Sequence, residues 1–381
     1  MTSSRPRVLL VQPLLAHYRQ GVVEALLNSS NIVYHVAAGQ SSTDGDIATF
    51  TLSRQDHFTA LCNFELGSFL WQRGLLRLIL TGGFDAVIMT GSANHLTAWA
   101  IGLASRMRAT PLLFWTTGWH RREKGFKRIV RLLFYRLASA LMLYSDRGQQ
   151  IGVDMGYPQS RMSVIYNSVA APGVAEELEP LARTSAHGGD STPDTKIVFV
   201  GRLNQEKRLD MLIEACDRLF SIGHHIRLVI GGDGPERVRL QHLASRSRVR
   251  VVFVGEVYSD SVLARIYQGA SMTVIPGRAG LTAIQSLAYS TPVITHSNFD
   301  QQVAEASAIR PSITGQFFQQ GDVRDLVQKM LLLLERDDLE ARTMREACYR
   351  EWLGKWSPQA HALRIEAAVL QQIADRASGA K

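Results

Sequence analysis

The chain is poor in cysteine. Cys62, Cys216 and Cys348 lie far apart, are odd in number and form no C-x-x-C pair. That spacing excludes a disulfide framework and a thiolate metal site, and it fits reduced thiols in a cytoplasmic protein. Low-complexity tracts are absent, and no apolar run reaches the roughly 18 residues that a spanning helix requires. The opening MTSSRPRVLLVQP enters an apolar strand directly, with no cleavage signature, so neither secretion nor integral membrane insertion is expected. Acidic residues are the scarcer charge, 34 against 42 lysines and arginines, for a net charge of +8. Residues 1–170 hold 17 basic and 9 acidic side chains, so this half carries the whole excess. Seven of those basic residues fall between Arg121 and Arg136. A basic first half beside a neutral second half implies different partners for the two. No nucleic-acid reading motif accompanies the charge, and a nucleic-acid partner is not expected.

What is present is 381 residues, 46% of them hydrophobic, a length that suits two domains with separate cores. The chain is organised around Lys196 to Asp210, KIVFVGRLNQEKRLD. An uncharged run, Ile197-Val198-Phe199-Val200, predicts a buried strand that turns at Gly201. Leu209, Leu212, Ile213, Cys216, Leu219 and Phe220 then keep the spacing of a core-facing helical stripe. Arg202 and Lys207 therefore fall where a strand ends and a helix begins, a place suited to anions. The plain alternative is two solvated charges on a loop.

Strand and helix alternate on both sides of this stretch. In the first half, strands are expected at 7–12, 32–37, 85–90, 111–116, 141–145 and 162–166. Helices are expected at 70–80, 93–106 and 121–140, with another opened by the loop 14–19. Residues 171–195, rich in Pro, Gly, Ser and Asp, lack an apolar face and read as a linker. In the second half, strands are expected at 197–200, 226–230, 249–254, 272–275 and 292–295. Helices are expected near 206–220, 235–246, 260–268, 280–289 and 322–335. The fold class is thus α/β, two Rossmann-like doubly wound parallel sheets, with residues 1–170 and 196–356 as the domains. A last helix, 357–376, follows a complete second domain and is expected to pack back onto the first. Asp44 and Asp46 form a D-x-D in a polar loop, which reads as a turn rather than a metal site.

Several motifs stand in register. They are VGRL-x-x-EKRLD, Gly231-Gly232-Asp233-Gly234-Pro235 and Val252-Phe253-Val254-Gly255. Gly280-Leu281-Thr282 leads to Thr291-Pro292-Val293-Ile294, and Gly315 is followed by Gly321-Asp322. Together they resemble the retaining glycosyltransferases of family 4, with the GT-B architecture of two domains facing a cleft. The match is dense over residues 196–335 and diffuse before them. One departure is plain. The family's two glutamates, eight positions apart, fall here on Gly277 and Gln285. In the usual enzyme the first touches the sugar and the second the ribose. Gln285 retains an acceptor oxygen, whereas at Gly277 the sugar contact passes to Arg278 or to backbone.

The resemblance implies a nucleotide-sugar donor held by the second domain and a lipid-linked or glycan acceptor held by the first. No metal or cofactor is expected, because fixed cations and helix N-termini can stabilise the leaving diphosphate. Arg202 and Lys207 are the candidate clamp, and the backbone of Gly280, Leu281 and Thr282 the seat of the distal phosphate. Gly201, Gly232, Arg278 and Gln285 complete the donor set, with Tyr258 expected to stack on the base or to be an ordinary surface tyrosine. His120, after Trp119, corresponds to a family position near the sugar and is assigned a catalytic role; a loop histidine is the alternative. His17, Arg19 and Trp119 are candidate acceptor contacts, and His296 a weaker donor-side candidate. Basic and apolar residues between 121 and 136 are expected to meet an anionic membrane, at the inner face of the cell membrane. The alternatives are a charged outer face on an ordinary surface helix and, for the whole chain, a non-catalytic nucleotide-sugar-binding or partner-binding member of the fold.

Overall fold

The computed structural model describes residues 5–39, 48–171, 195–257 and 259–379. Asp44, Asp46, Tyr258 and nearly all of the 171–195 segment lie outside the described residues. The chain divides into two compact units. One is Met1–Ala170 with Pro358–Lys381, and the other is Ala171–Ser357.

The first unit is built on eight strands. They are β1 (Arg7–Leu14), β2 (Val33–Gly39), β3 (Phe58–Leu66), β4 (Phe69–Arg73), β5 (Ala86–Thr90), β6 (Leu112–Thr116), β7 (Ala140–Leu143) and β8 (Met162–Val164). Their order is β4-β3-β2-β1-β5-β6-β7-β8, parallel throughout except for the antiparallel β3–β4 pair. The second unit has six parallel strands: β9 (Thr195–Val200), β10 (Ile226–Gly231), β11 (Arg250–Gly255), β12 (Ala270–Ile275), β13 (Val293–His296) and β14 (Gly315–Phe318). They run in the order β11-β10-β9-β12-β13-β14. The central strands read as unbroken apolar runs because helices cover both faces. Val8 to Val11 and Ile197 to Phe199 are at most 1% exposed. In each sheet the order reverses beside the first strand, between β1 and β5 and between β9 and β12. In open α/β sheets the carboxyl ends of strands at such a reversal form the ligand-binding crevice.

The helices sit within a few residues of their expected places in the second unit. Leu209–Ser221 buries Leu209, Leu212, Ile213, Cys216 and Leu219, each apolar side chain contributing roughly 1.5–3 kcal/mol. Strands β3 and β14 and the helix Asp146–Asp154 were not expected, and two further features also depart from expectation. The 70–80 segment is a strand, β4, followed by a short helix, Leu75–Thr81. A further helix, Asp338–Glu351, precedes a π turn at Trp352–Trp356. No described helix is long and apolar enough to cross a membrane.

The last helix, Pro358–Ala377, groups with the first unit. Asn31 Nδ2 donates to Glu366 Oε2 at 3.2 Å, and Arg364 lies 5.2 Å over the Tyr166 ring. His361 is wholly buried. Its Nδ1 meets Ser168 Oγ at 2.9 Å, and its ring stands edge-on to Trp115 at 5.1 Å. Burial, reinforced by the positive charges of Arg19 and Arg364, drives its pKa down to about 3. The folded chain therefore refuses a proton that the unfolded chain accepts near pH 6.5. The resulting penalty is absent above that value and grows as pH falls from 6.5 toward 3. Thermal melts across that window should show stability declining with acid, and His361→Gln should flatten the slope. An unchanged slope in the variant would show that this histidine does not titrate as described.

Candidate functional site

In the second unit the candidate donor residues gather at the carboxyl ends of β9 and β12. Strand β9 ends at Val200, whose carbonyl accepts from Thr282 Oγ1 at 2.7 Å. Thr282 opens the helix Leu281–Ala288, so this bond ties the helix start to the Gly201 turn. Gly232 comes so close to that turn that a Cβ there would lie 2.0 Å from the Gly201 carbonyl oxygen. Only glycine allows the approach. Leu203 N donates to Asp233 O at 2.8 Å and Glu236 N to Leu203 O at 3.0 Å, which pins the two loops together.

Lys207 connects this assembly to the turn after β12. Its Nζ donates to Arg278 O at 2.6 Å and reaches Ala279 O at 3.5 Å. Backbone bonds run alongside, from Gly277 N to Lys207 O at 3.0 Å and from Arg278 N to Glu206 O at 3.1 Å. From beneath, Gln302 accepts from Ala279 N at 2.9 Å, and Thr295 Oγ1 donates to Ile275 O at 2.8 Å. Gly280 caps the helix with φ +61° and contributes no side chain to satisfy the first N–H groups. A Cβ at Gly280 would sit 3.4 Å from the Lys207 ammonium. A half-buried cation thus lies beside an uncapped helix N-terminus, where the free N–H groups and the macrodipole favour negative charge. Burial lowers the Lys207 pKa and Arg278 lowers it further, while Glu206 and Glu305 act in the opposite sense.

Arg202 is exposed at the end of β9, five residues before Lys207 on the same loop. Arg278 is half-exposed and faces the Glu206 carboxylate at 3.4 Å. Gln285 is half-buried on the second turn of the Leu281–Ala288 helix. His296 is buried, and its Nδ1 accepts from Asn298 N at 3.2 Å. Burial lowers its pKa, so its ring belongs to the core of the strand end rather than to the donor set. Gly277 needs a different account from the one its sequence position invites. A Cβ there would lie 1.7 Å from the Glu206 carbonyl oxygen, so the loop carrying Lys207 occupies the space a side chain would take. The glycine is required by the packing.

In the first unit, Arg19 is held rather than presented. It donates to Gln12 Oε1 and, at 2.9 Å, to the Tyr144 hydroxyl, and it lies 4.7 Å over the Trp115 ring. Trp119 is 2% exposed, edge-on to Tyr135 at 4.9 Å. An indole in that position offers no face to an acceptor, which corrects its placement among the acceptor contacts. His17 and His120 are both exposed, after β1 and β6 respectively. Sequence reasoning missed Thr282 Oγ1, Thr295 and Gln302 as supports of the turn. Their only signal is a polar residue within an apolar run at a strand end or helix start. Among the described residues no cluster of three or more His, Cys, Asp or Glu side chains could hold a metal ion.

Comparison with known proteins bears on the same segment. Residues 184–350 match the family of glycosyl transferases group 1. That match falls within the sequence of the second unit. Over 182 residues the chain is 33% identical to an uncharacterized glycosyltransferase of Methanocaldococcus jannaschii, a match covering 46% of each protein. Over 136 residues it is 33% identical to the GDP-mannose-dependent alpha-(1-6)-phosphatidylinositol dimannoside mannosyltransferase of Mycobacterium tuberculosis, covering 35% of this chain and 33% of the relative. These matches span less than half the length of the curated relatives. The lipopolysaccharide outer core galactosyltransferase WaaB, in its apo form, superposes with a TM-score of 0.68 over 96% of this chain and 99% of that one, at 14% identity. At that identity the likeness shows the fold, two Rossmann-like units as in GT-B glycosyltransferases.

The packing around Gly277 predicts that restoring the family carboxylate will harm the protein. Gly277→Glu should lower the melting temperature and weaken nucleoside diphosphate binding at least tenfold, because the Lys207 loop has to move. A variant that folds normally and binds as the parent does would refute the packing account.

Proposed function

We propose that the protein is a retaining glycosyltransferase that moves a sugar from a nucleotide-diphosphate donor to a lipid-linked or polysaccharide acceptor. The observation that carries this reading is the Lys207 ammonium, set beside the uncapped N-terminus of Leu281–Ala288 at the β9/β12 reversal. Such a place suits a pyrophosphate, whose charge grows as the bond from sugar C1 to the distal phosphate oxygen breaks. Arg202, on the same loop, supplies a second cation. The acceptor oxygen bonds to C1 from the face the nucleotide leaves, and its proton passes to the departing phosphate oxygen. No catalytic carboxylate is needed, and the fixed cations stand in for a metal. Gln285 is assigned to the ribose and His120 to the sugar.

The basic segment of the first unit supports an acceptor at a membrane surface. On the helix Gly125–Leu137, Phe134 and Tyr135 are the buried residues, whereas Phe126, Ile129 and Leu133 are 79%, 54% and 54% exposed. Lys124, Lys127 and Arg128 are exposed among them. Arg131 is not part of that charge, because Glu123 holds it at 2.7 and 2.8 Å. An apolar stripe rimmed by cations matches anionic lipid, each basic residue contributing about 1 kcal/mol near the surface. A relative acts, by its name, on a phosphatidylinositol dimannoside. A non-catalytic nucleotide-binding role is the second reading, favoured by the absence of a carboxylate at both Gly277 and Gln285.

Incubation with UDP-, GDP- and dTDP-sugars and candidate acceptors should release nucleoside diphosphate for one donor. Binding without release across all of them would favour the second reading. With the productive donor, Lys207→Ala should lower turnover about 10²–10³-fold. Because the Lys207 pKa is depressed, activity should fall on the alkaline side below the ordinary lysine value of 10.5. In Lys207→Arg that limb should move to higher pH, and an unmoved limb would remove Lys207 from the clamp.

A further inference from the structure

The β3–β4 hairpin of the first unit has a feature that the donor site leaves unused. Among the described residues, pairing of β3 with β2 reaches Leu61, opposite Gly39, and β3 continues through residues 62–66. At about 3.3 Å per residue, this arm rises roughly 16 Å past Leu61. β4 returns along it, with Phe64 opposite Trp71 and Leu66 opposite Phe69. These four side chains share one face and are 51%, 40%, 82% and 46% exposed. Asn63, Glu65, Leu70 and Gln72 take the other face. There Asn63 and Gln72 bind the carbonyls of Pro13 and Gln12, at 2.9 and 3.1 Å.

We propose that this hairpin is a wedge that inserts into the acyl region of an anionic bilayer. From Phe64 to Phe69 its outer face is apolar apart from the Trp71 indole N–H, which suits the membrane interface, and the exposed Arg73, opposite Cys62, stands at the base of the same face. A glycan would need hydroxyl partners there, and among Phe64, Leu66, Phe69 and Trp71 only the indole N–H could serve. Strand addition by a second copy is also disfavoured, because the free side of β4 is already used. Leu70 N donates to Asn94 O at 3.0 Å, and Gln72 N to Thr97 Oγ1 at 2.7 Å. Charge complementarity points to lipid. β6 ends at the carboxyl edge of the same sheet, and the chain leaving it leads through the exposed Arg121 and Lys124, with Arg122 between them paired to Asp154 at 2.5 Å, to the start of Gly125–Leu137. One edge of the unit thus carries both an apolar arm and a belt of cations, the combination that stable peripheral binding requires. The wedge builds on the membrane contact proposed for that helix, and salt separates the two. Screening weakens the cations and leaves apolar insertion in place.

Trp71 is the exposed tryptophan and provides the readout, since Trp99 is half-buried and Trp115, Trp119, Trp352 and Trp356 are buried. The full chain is mixed with phosphatidylglycerol–phosphatidylcholine vesicles, with and without brominated acyl chains. Brominated lipid should quench the fluorescence of the wild type, and Trp71→Phe should remove that quenching while vesicle binding persists. Leu66→Asp should reduce cosedimentation on the order of tenfold at about 1 M salt, where the basic belt is screened. UDP and GDP titrations of the same variant should be unchanged, which separates loss of the wedge from loss of the donor site. Vesicle binding without Trp71 quenching would overturn the proposal. So would a Leu66→Asp variant that binds vesicles as the parent does, or a lipid-free dimer that this variant splits by light scattering.

Discussion

The second unit depends on one contact, the Lys207 ammonium seated on the carbonyls of Arg278 and Ala279. It joins the loop after the first strand of the sheet to the turn after the fourth, the two segments that flank the reversal in strand order. Holding a cation out of water is costly, and here two carbonyl dipoles and the nearby carboxylates of Glu206 and Glu305 offset the cost. The ammonium is thereby fixed at the start of a helix whose first N–H groups lack a side-chain cap. A site built in this way needs little reorganisation when an anion arrives.

Close backbone approach is the second constraint, and it explains the glycines better than flexibility does. At Gly232 and Gly277 a side chain would collide with the carbonyl oxygens of Gly201 and Glu206. In the second case the glycine also changes the chemistry of the turn. The space of a missing carboxylate is filled by the loop that delivers Lys207, and the adjacent Arg278 turns to Glu206 instead. The turn is therefore rebuilt around a cation.

Much of the second unit was legible in the sequence, because uncharged strands and amphipathic helices alternate there without interruption. Its strands and helices, through Val323–Leu334, fall within a few residues of their expected bounds, except β14, which was not expected. Three things were not legible. The arm at 58–73 alternates aromatic and polar residues but exposes the aromatic side, so Leu70 to Leu80 mimics a helical stripe. On Gly125–Leu137 the sequence offered a membrane contact or an ordinary surface helix without saying which residues reach the core, and these are Phe134 and Tyr135. For Arg19 and Trp119, position in a loop near a strand end pointed to a ligand. Contacts from distant segments, Tyr144 for the one and Tyr135 for the other, take them inward. Such long-range partners leave no local trace in a sequence.

The first unit brings a different physics to the same molecule. A helix from the end of the chain packs on its sheet, locked by the buried His361, while the β3–β4 hairpin and the basic helix turn apolar side chains outward. The central claim, however, concerns the anion seat in the second unit. A crystal structure with a bound nucleoside diphosphate tests it most directly. The account predicts the distal phosphate within about 3 Å of Lys207 Nζ and of the backbone N–H groups at Gly280 to Thr282. A diphosphate lodged elsewhere, with Lys207 still bonded only to its carbonyls, would contradict it.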